Sequence, residues 1–228
     1  MRQMTLDQLL LDRAQKKPVV LATDMTTGEE RLIYPAPNNT DPLNQAAAIA
    51  LRDDKSSVHE TDGGPVFLHA HNPPLRLIIV GAVHIAQPLS QMATTNGFDV
   101  TVVDPRGGFL SPERFPEVNV IPEWPDDALI KLNVDHRTAI ATLTHDPKID
   151  DPALHVALRS AAFYVGCLGS NRTHAKRIER LEKDGLSTAE IGRIHGPIGL
   201  DIGAKSPSEI AISILAQITQ TLRRGDTL

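Results

Sequence analysis

Several residues that could do chemistry in this chain follow directly after short apolar runs. Gly81, Ala82, Val83 and His84 follow one such run. Further candidates follow later runs: Asp104 and Arg106; Thr144, His145 and Asp146; and Gly169, Ser170, Asn171 and Arg172. If the runs are parallel strands, their carboxyl ends lie at one edge of a sheet, where ligands bind. We therefore predict one ligand-binding crevice to which all of these residues contribute.

Residues 75–104 have the order strand, glycine turn, helix, strand and acid that is typical of dinucleotide-binding folds. Gly81 supplies the tight turn, but Val83 stands where a second glycine would let a diphosphate approach the backbone. Its Cβ should push a diphosphate away, so NAD(P) is a less favoured ligand. Asp104 lies where an acid accepts hydrogen bonds from ribose hydroxyls, and the alternative is a solvated acid in a turn.

Residues 166–172 precede a predicted helix and could bind an anion. Free backbone N–H groups and the positive end of the helix dipole would hold the anion, with direct contacts from Ser170 and Arg172. The alternative is a serine that caps the helix and an arginine that faces solvent. The sequence leaves both interpretations open.

Other side chains at predicted strand ends also have a chemical and a structural interpretation. His145 and Asp146 could be acid–base or metal-contacting groups, but two adjacent ligands fall short of a metal site, and Asp146-Pro147 can form a turn. His84 could contact a ligand or pack against the neighbouring loop. Cys167 could be a nucleophile or a sulfur carrier, but a buried apolar cysteine is more common. We accordingly predict no catalytic residue and no metal site.

The alternation of strands and helices predicts an α/β fold with a Rossmann-type parallel sheet and flanking helices. Strands are predicted at 77–80, 100–103, 119–121, 139–143 and 163–165, and helices at 85–95, 126–132, 152–160, 172–184, 188–194 and 207–223. The charged segment 176–183 is predicted to be a solvated helix face. The glycine-rich loop 196–203 is predicted to pack Ile198, Leu200 and Ile202 into the core.

The residues before Pro73 and Pro74 have a different pattern, which predicts a small α+β lobe. It begins with a helix, and further elements are predicted at 19–22, 31–34, 43–52 and 66–69. Neither proline can donate to a ladder or continue a helix. We therefore predict two domains, at 1–72 and 75–228.

Composition restricts the classes of function. The chain has 228 residues and a formal net charge of −5, which argues against nucleic acid as a partner, because phosphate backbones need clustered lysine and arginine. No apolar run is long enough to cross a membrane, and the first residues form a charged helical pattern rather than a signal peptide. A single cysteine fits a reducing cytoplasm.

The second half of the sequence also resembles a known family. The segments that carry the resemblance are LIIVGAVHIAQPL, VTVVDPRGGFLSPERFP, LTHDPKIDDPAL, FYVGCLGSNRTHAKRIERL and RIHGPIGLDIGAKSPSEIAISILAQI. They are similar to the XdhC/CoxI family, the accessory factors of molybdenum hydroxylases such as xanthine dehydrogenase and carbon monoxide dehydrogenase. The resemblance implies a cytoplasmic Rossmann-type protein that binds the molybdenum cofactor, protects it while its sulfido ligand is installed, and delivers it to an apo-hydroxylase.

By the same resemblance, the cargo is molybdopterin or its cytosine dinucleotide form, and the partners are a molybdenum hydroxylase apo-enzyme and a cysteine desulfurase. The chain departs from the family in two places. Members usually have GAGHVA where this chain has GAVHIA, and many carry a longer N-terminal domain with a glycine-rich, cysteine-containing segment. A short member of this kind could form a homodimer through its helical C-terminus, residues 209–221, or act with a paralogue.

Three classes of function remain, and we favour the cofactor chaperone over an enzyme. A chaperone needs a crevice and a partner surface, and Asp104, Ser170 and Arg172 would hold the cofactor until the target enzyme offers tighter contacts. One alternative is an NAD(P)-dependent oxidoreductase, against which Val83 counts. The other is a nucleotide-sensing or scaffold protein without catalysis.

Overall fold

A computed structural model describes residues 2–224 of the chain. Met1 and residues 225–228, which belong to the two predicted domain ranges, lie outside the described residues. The described residues form two compact units that divide between Pro73 and Pro74.

The N-terminal unit is an antiparallel sheet with a helix packed on one face. Its elements are α1 (Gln3–Ala14), β1 (Val19–Asp24), β2 (Glu30–Ile33), α2 (Pro42–Arg52), β3 (Ser57–Thr61) and β4 (Gly64–His71). The strand order is β2-β1-β4-β3, and Leu43 of α2 packs with Val20 and Leu68 of the sheet. Burial alternates along β4, where Val66 and Leu68 are buried and Phe67 is exposed, as in a strand with one covered face.

Strand β3 is an element that the apolar pattern does not predict. It pairs with β4, but its only large apolar residue, Val58, is exposed. An edge strand without a buried face shows no alternation of apolar and polar residues, so the usual signal is absent. The Asp62-Gly63 turn that closes this hairpin is the signal by which sequence reasoning could have found it.

The second unit is a six-stranded parallel sheet with flanking helices, which confirms the predicted Rossmann-type α/β fold. Its elements are β5 (Arg76–Val80), α3 (Ala86–Thr95), β6 (Asp99–Val103), β7 (Asn119–Ile121), α4 (Pro125–Lys131), β8 (Thr138–Thr142), α5 (Pro147–Arg159), β9 (Tyr164–Cys167), α6 (Asn171–Lys183), α7 (Thr188–Ile191), β10 (Ile194–His195) and α8 (Pro207–Arg224). The strand order is β10-β9-β8-β5-β6-β7, and every neighbouring pair is parallel.

The central strands are buried along their whole length. All residues of β5 and β8 are buried, as expected of strands that are covered on both faces. Leu89 of α3 and Ile214 of α8 pack on one face, and Leu129 of α4 and Leu154 of α5 pack on the other. The helices therefore cover the faces of the sheet and leave its carboxyl edge to loops.

The chain changes direction along the sheet at β5. From β5 it proceeds to β6 and β7 on one side, and it then crosses to β8, β9 and β10 on the other. In open parallel sheets, the loops at such a switch point separate and leave a crevice at the carboxyl ends of the strands. A ligand site is therefore expected at the loops after β5 and β8.

Helix α5 begins at Pro147 rather than at the predicted position, Pro152. The side chain of Asp146 accepts a hydrogen bond from the backbone N–H of Lys148 and caps the helix. Pro147 occupies the first turn, where a missing N–H costs no helical hydrogen bond. The prediction was wrong because it placed Pro152 at the start of the helix, whereas that proline lies inside it.

The end of α7 also differs from the prediction. The helix ends at Ile191 rather than at Ile194, because Ile194 pairs with Val165 in β10. Strand β10 is two residues long and strand β7 is three, and these two are the edge strands of the sheet. Two residues carry no periodicity, so the sequence pattern could not predict β10.

Only part of the loop 196–203 packs as predicted. Ile198 is buried, and the N–H of Gly199 donates to Gln217 Oε1 (2.8 Å), which holds this part of the loop against α8. Ile202 is 55% exposed. The prediction that Ile202 packs into the core was therefore wrong, because the hydrogen bonds to α8 come from Gly199 and Leu200, which precede it.

Gly81→Ala should destabilise the fold by roughly 2 kcal/mol or more. Gly81 has a φ of +106°, and a Cβ built there would lie 2.4 Å from Thr144 Cγ2. The substitution therefore adds a steric overlap to the strain of a positive φ. Urea unfolding measures the change in free energy.

Gly97→Ala is the matched control, because Gly97 also has a positive φ, +82°, but no neighbouring atom within 4 Å. It should lose only about 1 kcal/mol, the cost of the backbone conformation. Equal losses in the two variants would contradict a structural role for the contact with Thr144.

Candidate functional site

Three strand ends meet around Gly81. The N–H of Gly81 donates to Val103 O at the end of β6 (2.8 Å), and the N–H of Leu143, after β8, donates to Val80 O (2.9 Å). The absence of a side chain on Gly81 lets Thr144 approach the turn. The glycine turn thus brings the loops after β5, β6 and β8 together at the switch point.

Asp104, directly after β6, links the turn after β5 to Arg106. It is fully buried, and its Oδ2 accepts a hydrogen bond from the N–H of Ala82 (2.8 Å). Arg106 donates to the same carboxylate through its backbone N–H (2.9 Å), Nε (2.9 Å) and Nη2 (2.8 Å). Burial opposes ionisation of Asp104, but the hydrogen bonds from Arg106 and Ala82 outweigh it and lower the pKa of Asp104.

The expected role of Asp104 as an acceptor for ribose hydroxyls stays a prediction. Its carboxylate already accepts four hydrogen bonds from Ala82 and Arg106, and it has no exposed surface. The geometry favours a positioning role, in which Asp104 fixes the turn after β5 and orients Arg106. The side chain of Arg106 remains 43% exposed and can meet an anionic group.

Sequence reasoning missed Arg114, which also contacts the turn. Its Nη2 donates to Ala82 O (2.8 Å), and its Nη1 donates to Phe109 O (2.7 Å). The guanidinium groups of Arg106 and Arg114 lie 4.9 and 5.9 Å from the centroid of the half-exposed Phe109 ring. No local motif marks Arg114, because its contact with Ala82 spans 32 residues of sequence. We call Arg106, Phe109 and Arg114 the basic aromatic surface.

The turn between β5 and α3 offers backbone hydrogen-bond donors. The N–H groups of Val83 and His84 have no hydrogen-bond partner within residues 2–224. The side chain of Val83 is half-buried and packs against the core beside β5, whereas His84 is exposed. That Val83 keeps a diphosphate away from the turn stays a prediction, and the side chain that would do so is held in place by packing.

The residues after β8 form a tight loop. Thr144 Oγ1 donates to Asp150 Oδ1 (2.7 Å) and accepts from the N–H of Asp146 (3.0 Å). His145 is exposed and has a φ of +67°, a strained conformation that is more frequent at functional sites. Asp146 caps α5, which is the structural one of its two interpretations. A chemical role for His145 stays a prediction.

The start of α6 combines both interpretations of residues 169–172. Ser170 caps the helix, since its Oγ accepts from the N–H of Thr173 (3.2 Å). The N–H groups of Asn171 and Arg172 have no partner in the described part of the chain. The side chain of Arg172 is exposed. Free donors, the helix dipole and a guanidinium group thus leave a positive helix end that suits an anion.

Direct contacts divide the predicted site residues into two groups. Those after β5, β6 and β8 are joined by the hydrogen bonds described above. No hydrogen bond or ion pair within residues 2–224 links residues 169–172 to them. The pKa of Arg106 is raised chiefly by its hydrogen bonds to Asp104 and further by the charges of Asp146 and Asp150, so the loops after β6 and β8 interact electrostatically.

Arg177 shows that the predicted solvated face of α6 was wrong in part. Its side chain is 2% exposed, and its Nη2 donates to Leu168 O (2.9 Å) and lies 3.8 Å from Asp150 Oδ2. Arg180 forms a bidentate pair with Asp151 (2.6 and 3.0 Å). The sequence predicted a solvated face because residues 176–183 contain opposite charges that could pair within α6. In the structure, Arg177 and Arg180 pair instead with aspartates of α5.

Cys167 lies at the end of β9 and is fully buried. Burial raises the pKa of its thiol to about 12. Nucleophilic attack needs the thiolate, which is scarce near neutral pH for a thiol of this kind. The structure therefore favours the interpretation of Cys167 as a core residue.

Residues 2–224 contain no cluster of side chains for a metal ion and no membrane-spanning helix. No group of three or more histidine, cysteine, aspartate or glutamate side chains in this range could hold a metal ion. No helix in it is both long enough and apolar enough to cross a membrane.

The parallel sheet, its switch point and the glycine turn define a Rossmann-type protein. The XdhC Rossmann domain family matches residues 77–218, which is more than half of the chain. The chain therefore belongs to the XdhC family.

Three other proteins have sequences similar to this chain. They are the uncharacterized protein YqeB of Escherichia coli (34% identity over 159 residues), a probable xanthine dehydrogenase subunit of Bacillus subtilis (31% over 160) and the molybdenum cofactor insertion chaperone PaoD of Escherichia coli (31% over 146). The alignments cover 68%, 70% and 64% of this chain, but 29%, 46% and 40% of those proteins. This chain thus matches less than half the length of each relative.

A solved structure, that of a xanthine dehydrogenase from Bacillus halodurans, has a similar fold. The TM-score is 0.70 at 26% sequence identity, and the alignment covers 98% of this chain and 65% of the other. The similarity therefore extends over both units of the chain.

Asp104→Asn should lower the free energy of unfolding by about 2 kcal/mol or more at pH 7, because the amide leaves Arg106 without its charged acceptor. The pKa of Asp104 is lowered in the folded protein, so its stabilisation is complete above the ordinary value of 3.8. It is lost as the pH falls through the folded-state pKa. Urea unfolding at a series of pH values should show the difference from wild type shrinking in acid.

Glu123→Gln is the control for Asp104→Asn. It removes a carboxylate from the exposed pair between Glu123 and Lys131 (2.7 Å) and should change the stability very little. An Asp104→Asn variant as stable as the control at pH 7 would show that the turn does not depend on this carboxylate.

The thiol of Cys167 should not react with a thiol reagent such as Ellman's reagent in the native protein, because it is buried and its pKa is raised. After unfolding in urea, the single cysteine of the chain should react completely. A Gln91→Cys variant is the control, because position 91 is exposed on α3 and should add one fast-reacting thiol. Rapid modification of native wild-type protein would refute the burial of Cys167.

Proposed function

We propose that this protein is a maturation factor that binds the molybdenum cofactor as cargo and helps to insert it into a molybdenum hydroxylase of the xanthine dehydrogenase type. The names of two similar proteins, a molybdenum cofactor insertion chaperone and a probable xanthine dehydrogenase subunit, support this. The structural observation that carries the proposal is the positive start of α6 at the carboxyl edge of the sheet. There Arg172 has no ion-pair partner within residues 2–224.

The chemistry of this edge suits such a cargo. Molybdopterin carries a phosphate and its cytosine dinucleotide form carries a diphosphate, so either form needs an anion site. The start of α6 offers the N–H groups of Asn171 and Arg172 together with the guanidinium group of Arg172. The basic aromatic surface offers the exposed ring of Phe109, on which a planar ring system can stack.

We assign the phosphate end of the cargo to α6 rather than to the turn after β5. At that turn, Asp104 already accepts the N–H of Ala82, and position 83 carries a side chain where a glycine would let a diphosphate approach the backbone. Neither obstacle exists at the start of α6. The same argument makes NAD(P), which relies on the glycine turn for its diphosphate, a less suitable ligand.

The available groups favour delivery over catalysis. The thiol of Cys167 is buried and the carboxylate of Asp104 is engaged, so neither supplies a nucleophile or a base. Transfer needs only a difference in affinity between carrier and target, and a tenfold difference corresponds to about 1.4 kcal/mol. Ser170 and Arg172, with Asp104 as a positioning residue, would hold the cofactor until the apo-hydroxylase offers tighter contacts.

The proposal also covers partners and location. It includes protection of the cofactor during sulfuration by a cysteine desulfurase, a cytoplasmic location, and a homodimer or a pairing with a paralogue. Helix α8 buries Ile214 and Ile218 in its own unit. A dimer contact through α8 would therefore use its outer face, where Ile212 is half exposed.

Arg172→Ala should weaken the binding of molybdopterin about tenfold or more, because it removes a charge-assisted contact to the phosphate. Lys183→Ala is the matched control, since Lys183 is an exposed cation at the other end of the same helix. Anaerobic calorimetric titrations with molybdopterin, its cytosine dinucleotide form and NAD(P)H, in separate runs at fixed ionic strength, measure the affinities.

The outcomes separate the candidate functions. Binding of molybdopterin that Arg172→Ala weakens and Lys183→Ala leaves unchanged supports the proposal. Binding of NAD(P)H alone contradicts it and favours an oxidoreductase. Binding of none of these ligands favours a scaffold protein, and equal weakening in both variants would mean a general effect of charge.

A further inference from the structure

A cavity of about 190 Å³ lies between the loop after β8 and helices α5 and α6. The residues that line it include His145, Asp150, Arg172, Lys176, Arg177 and Arg180. One water molecule needs roughly 15 Å³ of such a cavity, so there is room for a tetrahedral oxyanion. The positive start of α6 is therefore part of a concave site whose walls come from the loop after β8, α5 and α6.

The inner wall of the cavity carries buried polar atoms without protein partners. Arg177 is 2% exposed, and its Nε and Nη1 have no hydrogen-bond partner among the described residues. Oδ2 of the equally buried Asp150 also has none, and it lies 3.8 Å from Arg177 Nη2, too far for a hydrogen bond. Buried donors in native proteins are nearly always paired with protein, ordered water or a ligand, so the two free donors of Arg177 are available to a bound group.

The outer wall is cationic. Arg172 and Lys176 are one turn apart on α6, both are exposed, and neither has an ion-pair partner within residues 2–224. Arg180 is neutralised by Asp151. The excess positive charge of the cavity therefore comes from Arg172 and Lys176 rather than from Arg180.

Asp150 is an acidic residue in the lining of this cavity. Burial raises its pKa, although the hydrogen bond with Thr144 and the charge of Arg177 act in the opposite direction. A carboxyl group with a raised pKa is more readily neutral, which lessens its repulsion of an anion.

We propose that this cavity binds a phosphate group, as inorganic phosphate or as a phosphate monoester, through Arg177 at its inner wall and Arg172 and Lys176 at its outer wall. Guanidinium and ammonium groups form strong charge-assisted hydrogen bonds with phosphate oxygens, and a buried guanidinium binds without competition from water. The proposal of a phosphate site rests only on the observations of the cavity given above. Its assignment to the phosphate of the molybdopterin cargo rests on the proposed function.

Lys176→Ala is the sharpest test, because the side chain is exposed and its removal leaves the packing of α6 unchanged. Calorimetric titration with inorganic phosphate, at fixed ionic strength, should show saturable binding to wild type and about tenfold or more weaker binding to Lys176→Ala. Lys183→Ala, the control on the same helix, should bind as wild type does. Phosphate should also raise the urea midpoint of wild type more than that of Lys176→Ala.

The cavity proposal is overturned if wild type shows no saturable phosphate binding, or if Lys176→Ala and Lys183→Ala bind phosphate equally. A second experiment titrates the same variants with molybdopterin in the presence and absence of phosphate. Competition between phosphate and molybdopterin supports the cavity as the phosphate site of the cargo. Molybdopterin binding that is insensitive to both phosphate and Lys176→Ala refutes that assignment while leaving the maturation role intact. Phosphate binding without molybdopterin binding supports the cavity and contradicts the maturation role.

Discussion

The hydrogen bonds of the buried Asp104 carboxylate hold the carboxyl edge of the parallel sheet together. One oxygen accepts the N–H of Ala82 in the turn after β5, and both oxygens accept from Arg106. In so buried a site, the N–H of Ala82 would be left unsatisfied if the carboxylate were absent. The conformation of the turn after β5 and the orientation of Arg106 therefore depend on one side chain that has no exposed surface.

This arrangement divides the edge into two electrostatic regions. Around Gly81, the charges of Asp104 and Arg106 are paired, and the side chain of Val83 packs against the core. Around the start of α6, the described residues leave Arg172 and Lys176 uncompensated and Arg177 buried with free donors. An anionic ligand gains most where charge is uncompensated and desolvated. The fold therefore has the topology of a dinucleotide site, while the phosphate site that we propose lies at the start of α6.

Most of the fold could be predicted from the sequence, because buried parallel strands are continuous apolar runs; the predicted strands 77–80 and 100–103 lie within β5 and β6. The missed elements, β3 and β10, have no buried periodic face or are too short to show one. For the candidate site, position after a strand predicted which loops matter, but not what each side chain contacts. Whether an acid such as Asp104 or an arginine such as Arg177 is buried depends on packing between distant segments, and no local pattern records it.

The length of the outermost strands has a consequence for how the protein behaves in a crowded cell. A sheet that ends in long, flat strands offers rows of unpaired N–H and C=O groups, to which a strand of another molecule can add. Here the parallel sheet ends in β7 and β10, with three and two residues. Such short strands offer few backbone groups with which a further strand can pair. Both ends of the parallel sheet are therefore poor templates for the addition of a strand from another molecule.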